Sequence, residues 1–268
     1  MNQYQFGLLQ YGVTLREMLL LCGICSIRLL VIMVIFPPTG DNVLHGTTRS
    51  AIVAVWAAYV ALGQQASLPQ LHGFFLVYVC AKEAAVGLVM AFIASPVFWV
   101  AEAVGAYVDD LTGYNNVQMT NPSQGRETSL TSTLMSQCAM IAFWTLGGMT
   151  YLLGALFESY RLWPLMSAAP IPGELIQAFV LRQTDSLMQS TAKLATPAML
   201  LLLLVDLGLG LISRAAQKLD LVSLSQPIKG AMAVLMLALL TGMFIGQVRD
   251  QVALLHVGEQ IRAVAGKK

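Results

Sequence analysis

Charged side chains are scarce in this sequence, where Asp, Glu, Lys and Arg make up 11% of the 268 residues. A soluble globular domain carries about 25% charged residues. A chain with this composition has too few charges to cover a surface that faces water. Its net charge of +1 does not suggest nucleic acid as a partner. The composition therefore excludes an ordinary soluble domain and gives no indication of nucleic-acid binding.

The residue patterns that carry catalysis or bind metals are also missing. The three histidines are isolated in the sequence, and none belongs to a His-Glu-x-x-His motif. The four cysteines lie in apolar stretches, and Cys22 and Cys25 have redox spacing without the βαβ setting that this chemistry uses. The first apolar run has no preceding basic cluster and no small-x-small cleavage site, so we expect it to remain in the mature protein. We predict no enzyme activity and no cofactor or metal.

Long apolar runs dominate the remaining sequence, and a helix that spans a bilayer needs about 20 such residues. The candidate segments are Met18 to Phe36, Ala51 to Leu62, Phe74 to Val104 with a kink at Pro96, Leu130 to Phe157, Ala192 to Ser213 and Gly230 to Val248. An amphipathic helix that leads into the segment from Ala192 is predicted over Glu174 to Lys193. These segments predict an all-α membrane protein in which about six long hydrophobic helices form a single domain over residues 1–268. Gly242 and Gly246 form a GxxxG pair, which predicts close packing against another helix.

Charges inside the apolar segments are the strongest functional signal. A charge near the bilayer centre costs roughly 2.5–3.5 kcal/mol on insertion scales, so Lys82 and Glu83 must each face protein or water. Because they are adjacent on a helix, we expect them to point in different directions and to need separate partners. Steps of about 3.6 residues place Glu102 and Asp109 on one helix face, and a similar polar stripe starts at Asp206. The pattern is equally compatible with a water-lined path, with contacts to other subunits, and with structural salt bridges inside one bundle.

Several blocks, taken in order, resemble the FliR/SctT family of type III secretion export-gate proteins. The first block is KEAAVGL, from Lys82 to Leu88, and the second is EAVGAYVDD, from Glu102 to Asp110. The third block holds DLGLGLISR from Asp206 to Arg214, followed by Ser225-Gln-Pro227-Ile-Lys229. The stretch NPSQGRETSLTSTLMSQ resembles the injectisome members more than the flagellar ones. The resemblance therefore favours the injectisome.

The resemblance implies a set of partners and a location. Family members assemble with SctR and SctS (FliP and FliQ in flagella) into a pore for unfolded proteins in the bacterial inner membrane, and the SctU/FlhB switch protein docks on that assembly. The helices of such hetero-oligomers are bent hairpins held partly above the bilayer plane. This arrangement would account for the charge distribution here, because the loop before the last helix and the C-terminal tail are both basic and give conflicting topologies under the positive-inside rule.

The resemblance also assigns roles to particular residues. It implies that the loop from Thr112 to Thr128 is the plug of the pore, with candidate residues Thr112, Gly113, Tyr114, Asn115, Asn116, Met119, Asn121, Pro122 and Gly125. The candidate polar residues of the pore or of subunit contacts are Lys82, Glu83, Glu102, Asp109, Asp206, Arg214 and Lys229. The same loop composition also suits an ordinary connection. The alternative function is a secondary transporter in which Lys82, Glu83 and Asp206 couple ions or a solute at the bilayer midplane.

Overall fold

The structure is a computed structural model that describes residues 3–41, 43–64, 73–113, 119–120, 127–167 and 173–215, with parts of 225–246. The helices with defined bounds are α1 (Gln3–Ile35), α2 (Gly46–Gly63), α3 (Phe74–Ala94), α4 (Pro96–Thr112), α5 (Leu130–Thr145), α6 (Gly148–Leu162) and α7 (Gly173–Ala215). The described residues between 225 and 246 are helical as well. The predicted all-α class is confirmed.

Among the residues that the structure describes, three helices are long and apolar enough to cross a membrane. The qualifying stretches are Leu15–Ile35 in α1, Phe75–Ala94 in α3 and Gln177–Arg214 in α7, and α5 with α6 would make a fourth span if the two count as one. Together with the scarcity of charge, these stretches make the chain a membrane protein.

The helix boundaries differ from the sequence prediction at two breaks. The segment from Phe74 to Val104 was expected to be one kinked helix, but α3 ends at Ala94 and α4 begins with Pro96. Proline lacks an N–H group and fits the first position of a helix better than its interior. The segment from Leu130 to Phe157 is likewise two helices, because Gly147 between α5 and α6 has a φ of +73°, which a helix cannot contain.

Helix α7 combines two of the predicted segments. The amphipathic helix predicted from Glu174 was expected to lead into the apolar segment ending at Ser213, and the two form one helix of 43 residues with Pro197 inside it. At about 1.5 Å per residue this helix is about 65 Å long, roughly twice the hydrocarbon thickness of a bilayer. Only part of α7 can therefore lie in the hydrocarbon region.

The chain divides into two compact units. The first unit comprises Met1–Ser95, Leu152–Pro172 and Val257–Lys268, and in it α1 packs against α2 and α3. The second unit comprises Pro96–Tyr151 and Gly173–His256, and in it α4 packs against α5 and α7. This division does not test the predicted single export-gate domain, which stays a prediction.

Candidate functional site: buried polar clusters in each unit

A buried ion pair lies at the centre of the first unit. Arg28 of α1 and Glu83 of α3 have side chains that are 0% exposed. The Arg28 Nε donates to Glu83 Oε2 at 2.8 Å, and Nη2 donates to Oε1 at 2.9 Å. This bidentate geometry is the strongest form of the Arg–carboxylate contact. The pair neutralises the charge of Glu83 inside an apolar segment.

The remaining donors of Arg28 bind the end of α6. Its Nη1 donates to Ser159 Oγ at 2.7 Å, and Nη2 also donates to the Trp163 carbonyl at 3.1 Å. The guanidinium lies 3.9 Å from the centroid of the Tyr160 ring, a distance at which a cation is attracted to the ring face. The Tyr160 hydroxyl in turn donates to the Cys25 carbonyl at 3.1 Å. Arg28 therefore joins α1, α3 and α6 through one side chain.

Lys82 lies beside this pair and binds mainly backbone. Its Nζ donates to the carbonyls of Pro164 and Leu165 at 2.8 and 2.7 Å, and it lies 3.4 Å from Glu83 Oε1. The expectation of separate partners is correct for the main contacts. The separation is not complete, because Glu83 contacts both Arg28 and Lys82. A flexible four-carbon lysine stem reaches around the helix in a way that a helical wheel does not represent.

Gly87 allows α1 and α3 to approach closely at this cluster. A Cβ at Gly87 would lie 2.7 Å from the Arg28 carbonyl oxygen and 3.1 Å from Val31 Cβ. A real Cβ essentially never lies as close to a backbone atom as the 2.7 Å to the Arg28 oxygen, so only glycine fits at this position. Gly87 lies one helical turn after Glu83 and thereby sets the distance across which Glu83 meets Arg28.

Sequence reasoning missed Arg28, Ser159 and Tyr160. Arg28 was detectable, because it is the only charged residue between Met18 and Phe36. The cost of placing a charge in an apolar segment, which singled out Lys82 and Glu83, applies to it equally. Ser159 and Tyr160 carry no signal in the sequence that would reveal their role.

A second buried carboxylate lies in the other unit, at the end of α4. Asp109 is 0% exposed. It accepts a hydrogen bond from the Thr131 backbone N–H at 2.8 Å and another from the Thr131 hydroxyl. Thr131 is in the first turn of α5, where backbone N–H groups lack helical partners and the helix dipole favours an anion. Asp109 thus acts as a cap for α5 that is supplied by α4.

The two helices pack tightly one turn before this contact. A Cβ at Gly105 would lie 2.4 Å from the Ser132 Cα, so glycine is required there. The Ser132 hydroxyl donates to the Glu102 carbonyl at 2.9 Å, while the Glu102 side chain is exposed. The predicted acidic stripe therefore divides into one exposed and one fully buried carboxylate.

The later block brings a third polar contact to the end of α4. Lys229 and Asp206 form an ion pair at 2.6 Å, with side chains that are 15% and 50% exposed. The Lys229 Nζ also lies 3.4 Å from the Leu111 carbonyl, near the C-terminus of α4, where a cation is favourable. The fold thus pairs Asp206 with Lys229, which are 23 positions apart in the sequence. Lys229 in turn contacts Leu111, which is two residues after Asp109 in α4.

The predicted plug loop begins at this point. Thr112 is the last residue of α4, and its buried hydroxyl donates to the Val108 and Asp109 carbonyls. Gly113 follows with a φ of +77°, which glycine adopts without strain. Further on, Met119–Thr120 pairs with Glu127–Thr128 as a short antiparallel ladder, β1 and β2. The other predicted plug residues, Tyr114, Asn115, Asn116, Asn121, Pro122 and Gly125, lie outside the described residues.

The remaining predicted residues are not brought into either cluster. Arg214 is exposed in the last turn of α7. A Cβ at Gly242 or at Gly246 would meet no atom within 4 Å in the described part of the chain. The close approach predicted from this GxxxG pair is therefore not made by any described helix of the chain itself.

The buried carboxylates of the two clusters hold neighbouring helices together. Every carboxylate oxygen of Glu83 and Asp109 accepts at least one hydrogen bond or ion pair from the chain. Within the ranges that the structure describes, no group of three His, Cys, Asp or Glu residues could hold a metal. The arrangement is that of a set of structural contacts between helices.

Comparison with known proteins extends over most of the chain. The profile of the bacterial export proteins, family 1, matches residues 19–255. Yop proteins translocation protein T of Yersinia pestis is 34% identical over 215 residues, which cover 79% of this chain and 82% of that protein. Surface presentation of antigens protein SpaR of Salmonella typhimurium is 28% identical over 213 residues, 79% of each chain. Flagellar biosynthetic protein FliR of Bacillus subtilis is 24% identical over 157 residues, 58% of this chain and 61% of that protein.

The non-flagellar relatives share more identity over more of the chain than the flagellar one, which favours the injectisome branch as the loop sequence predicted. The relatives are proteins of the type III secretion export apparatus. The matched range, residues 19–255, contains all three motif blocks and every charged residue of the two clusters. The chain belongs to the bacterial export proteins, family 1, the FliR/SctT family of type III secretion proteins.

Proposed function

We propose that this chain is the SctT-like subunit of a type III secretion export gate. In this role it forms, with SctR and SctS homologues, the pore through which unfolded proteins leave the cell, and a SctU/FlhB-like protein docks on the assembly. It would lie in the bacterial inner membrane as a multi-pass protein. The observation that carries the proposal is the family match over residues 19–255.

The uncovered surface of α7 supports a role inside an assembly. The described chain buries 17% of the apolar stretch of α7, compared with 39% of each of the other two candidate spans. The leucines on the face opposite its packing side are more than half exposed, and they are Leu200, Leu203, Leu204, Leu207 and Leu211. Their i, i+3, i+4, i+7 spacing is typical of a helix that packs against other helices or lipid. Gly242 and Gly246 offer a second surface for a partner helix.

Copurification tests the assembly directly. The chain, tagged and expressed with its SctR and SctS homologues, should purify with both of them in detergent. If the chain carried out a complete function alone, it would purify as a monomer or a homo-oligomer even when these homologues are present. The second outcome would contradict the proposal.

The secondary transporter remains the rival function, and a separate measurement addresses it. It assigns ion coupling to Lys82, Glu83 and Asp206. Glu83 is fully engaged by Arg28 and Lys82, which leaves this carboxylate no unpaired oxygen for an ion. Uptake of a small solute by proteoliposomes that contain only this chain would favour the transporter.

The loop from Thr112 to Thr128 is proposed to seal the idle pore. Shortening it between Asn115 and Gly125 should leave assembly intact, because α4 and α5 keep their contacts at Gly105 and Asp109. It should make cells with the assembled but idle apparatus permeable to small solutes while some secretion survives. An unchanged permeability, with assembly confirmed by copurification, would show that the loop is only a connection.

A further inference from the structure

The short turn that follows α6 directs several backbone carbonyls towards one point. Helix α6 ends at Leu162, and Pro164 prevents its continuation because proline has no N–H group to donate. The Ser167 N–H donates to the Pro164 carbonyl at 3.0 Å, which closes the turn. Carbonyls at a helix C-terminus lack helical partners, and the helix dipole favours a cation there. The turn therefore offers neutral oxygen ligands at a place that favours positive charge.

The Lys82 ammonium occupies this place. Its Nζ lies 2.8 Å from the Pro164 oxygen, 2.7 Å from the Leu165 oxygen and 3.5 Å from the Ser167 oxygen. Glu83 Oε1 lies 3.4 Å away on the other side. An ammonium group has three N–H donors and accepts nothing, and the Lys82 side chain is only 8% exposed. The three carbonyls of the turn thus form a cradle that replaces the hydration shell of the cation.

The charge of Lys82 is not needed to neutralise Glu83. Arg28 already binds both oxygens of Glu83, through hydrogen bonds of 2.8 and 2.9 Å. Lys82 therefore adds a net positive charge to the cluster, and such a charge is costly in an apolar segment. Its two shortest contacts are with carbonyl oxygens. The carbonyl cradle is therefore the partner that stabilises this additional charge.

The geometry of the carbonyl cradle indicates the class of cation that fits it. Backbone carbonyls also replace the hydration shell of K⁺ in the filters of potassium channels. Oxygen ligands lie about 2.3–2.6 Å from Ca²⁺ and about 2.0–2.1 Å from Mg²⁺. Here the two nearest oxygens lie 2.8 and 2.7 Å from the cation, and the nearby Arg28 charge would repel a divalent ion more than a monovalent one. The cradle therefore suits a large monovalent cation.

We infer that the carbonyl cradle after α6 is a binding site for a monovalent cation, and that the Lys82 ammonium is its built-in occupant. The occupied cradle holds the end of α6 to α3, because Lys82 belongs to α3 and the carbonyls belong to the turn after α6. A cation that is tethered by its own side chain makes this contact independent of the salts in solution. When the side chain is removed, a free cation of similar size, such as ammonium or K⁺, should bind in its place and restore the contact.

Three variants of the copurified assembly test the site in detergent. Lys82→Ala removes the ammonium and leaves its place open, whereas Lys82→Met removes the charge but keeps an unbranched side chain of similar length. Lys193→Ala is the matched control, because Lys193 is an exposed lysine of α7. The midpoint of thermal unfolding and the yield of assembly are measured at constant ionic strength in the chlorides of choline, potassium, ammonium and magnesium. Choline is too bulky to enter the cradle.

Only Lys82→Ala should respond to the identity of the cation. In choline chloride both Lys82 variants should unfold at a lower temperature than the unaltered protein, because the cradle has lost its cation. Potassium or ammonium chloride should raise the midpoint of Lys82→Ala by about 3–6 °C and then saturate, which is the shift produced by a ligand at about ten times its Kd. The unaltered protein, Lys82→Met and Lys193→Ala should show no such rise, and magnesium chloride should not replace the monovalent salts.

Four results would overturn the inference. A Lys82→Ala midpoint that is the same in all four salts would show that the turn binds no free cation. An equal rise in Lys82→Met would make the effect a general response to salt, and an equal effect of magnesium would contradict the monovalent class. Failure of Lys82→Ala to assemble in potassium or ammonium chloride would show that the stem of the lysine, and not its charge, holds the end of α6.

Discussion

The charged cluster around Arg28 makes a sharp prediction about single and double substitutions. Removing one member of a buried ion pair costs about 3–5 kcal/mol, because the other charge is left unpaired. In Glu83→Leu two cations, Arg28 and Lys82, lose the same anion, so we expect a cost at the upper end of that range. Arg28→Met should cost a similar amount, because Glu83 would keep only the 3.4 Å contact with Lys82.

The double variant Arg28→Met with Glu83→Leu should be much less damaging than either single change. Replacing both members of a buried pair by apolar residues is often neutral or stabilising. Lys82 keeps its carbonyl partners Pro164 and Leu165. The main losses are the hydrogen bonds that Arg28 donates to the Ser159 hydroxyl and to the Trp163 carbonyl, about 1 kcal/mol each, and the 3.4 Å contact of Lys82 with Glu83. We therefore expect the double variant to lie within about 2–3 kcal/mol of the unaltered protein.

The assay is the thermal unfolding of the copurified assembly in detergent, with the yield of assembly as a second measure. Leu30→Met serves as a control, because Leu30 is partly exposed on α1 and the substitution conserves volume. A double variant as unstable as the sum of the two single variants would refute the reasoning. That result would mean that Arg28 and Glu83 stabilise the protein independently and not as a pair.

Three further predictions concern other parts of the chain. Gly105→Ala should abolish assembly, because its Cβ would lie 2.4 Å from the α5 backbone. The control Gly208→Ala should assemble normally, because no atom of the described chain lies within 4 Å of that position. Equal yields of assembly from the two variants would contradict this prediction. Lys82→Leu should reduce secretion more than Cys25→Ala, because it removes the ammonium group that donates to the carbonyls of Pro164, Leu165 and Ser167, whereas trimming a packed cysteine removes one sulfur. Equal secretion by the two variants would count against the role of Lys82. When the chain is expressed without SctR and SctS homologues, it should be degraded or polydisperse in detergent, because the exposed face of α7 lacks its partners. A monodisperse, thermally stable monomer in size-exclusion chromatography would refute this expectation.

The sequence by itself determined the class of the protein and its family. Scarce charge and long apolar runs predict membrane helices, because a segment that spans the bilayer core must have apolar side chains and must satisfy its backbone hydrogen bonds internally. Local chemistry determined several boundaries, such as the end of α1 at Ile35 before Pro37. The motif blocks KEAAVGL and EAVGAYVDD contain Gly87 and Gly105, and the close packing of α1 on α3 and of α4 on α5 explains why glycine stands at these two positions.

Only the tertiary structure decided which polar groups meet. Arg28 and Glu83 are 55 positions apart, and Asp109 and Thr131 are 22 positions apart, so neither pair follows from helical periodicity. The acidic stripe illustrates the difference: periodicity placed Glu102 and Asp109 on one face, but the face alone could not show that the first is exposed and the second buried. The sequence of a helix determines which residues share a face. The neighbouring helix determines whether a carboxylate on that face binds a hydrogen-bond donor of the protein or is exposed to water.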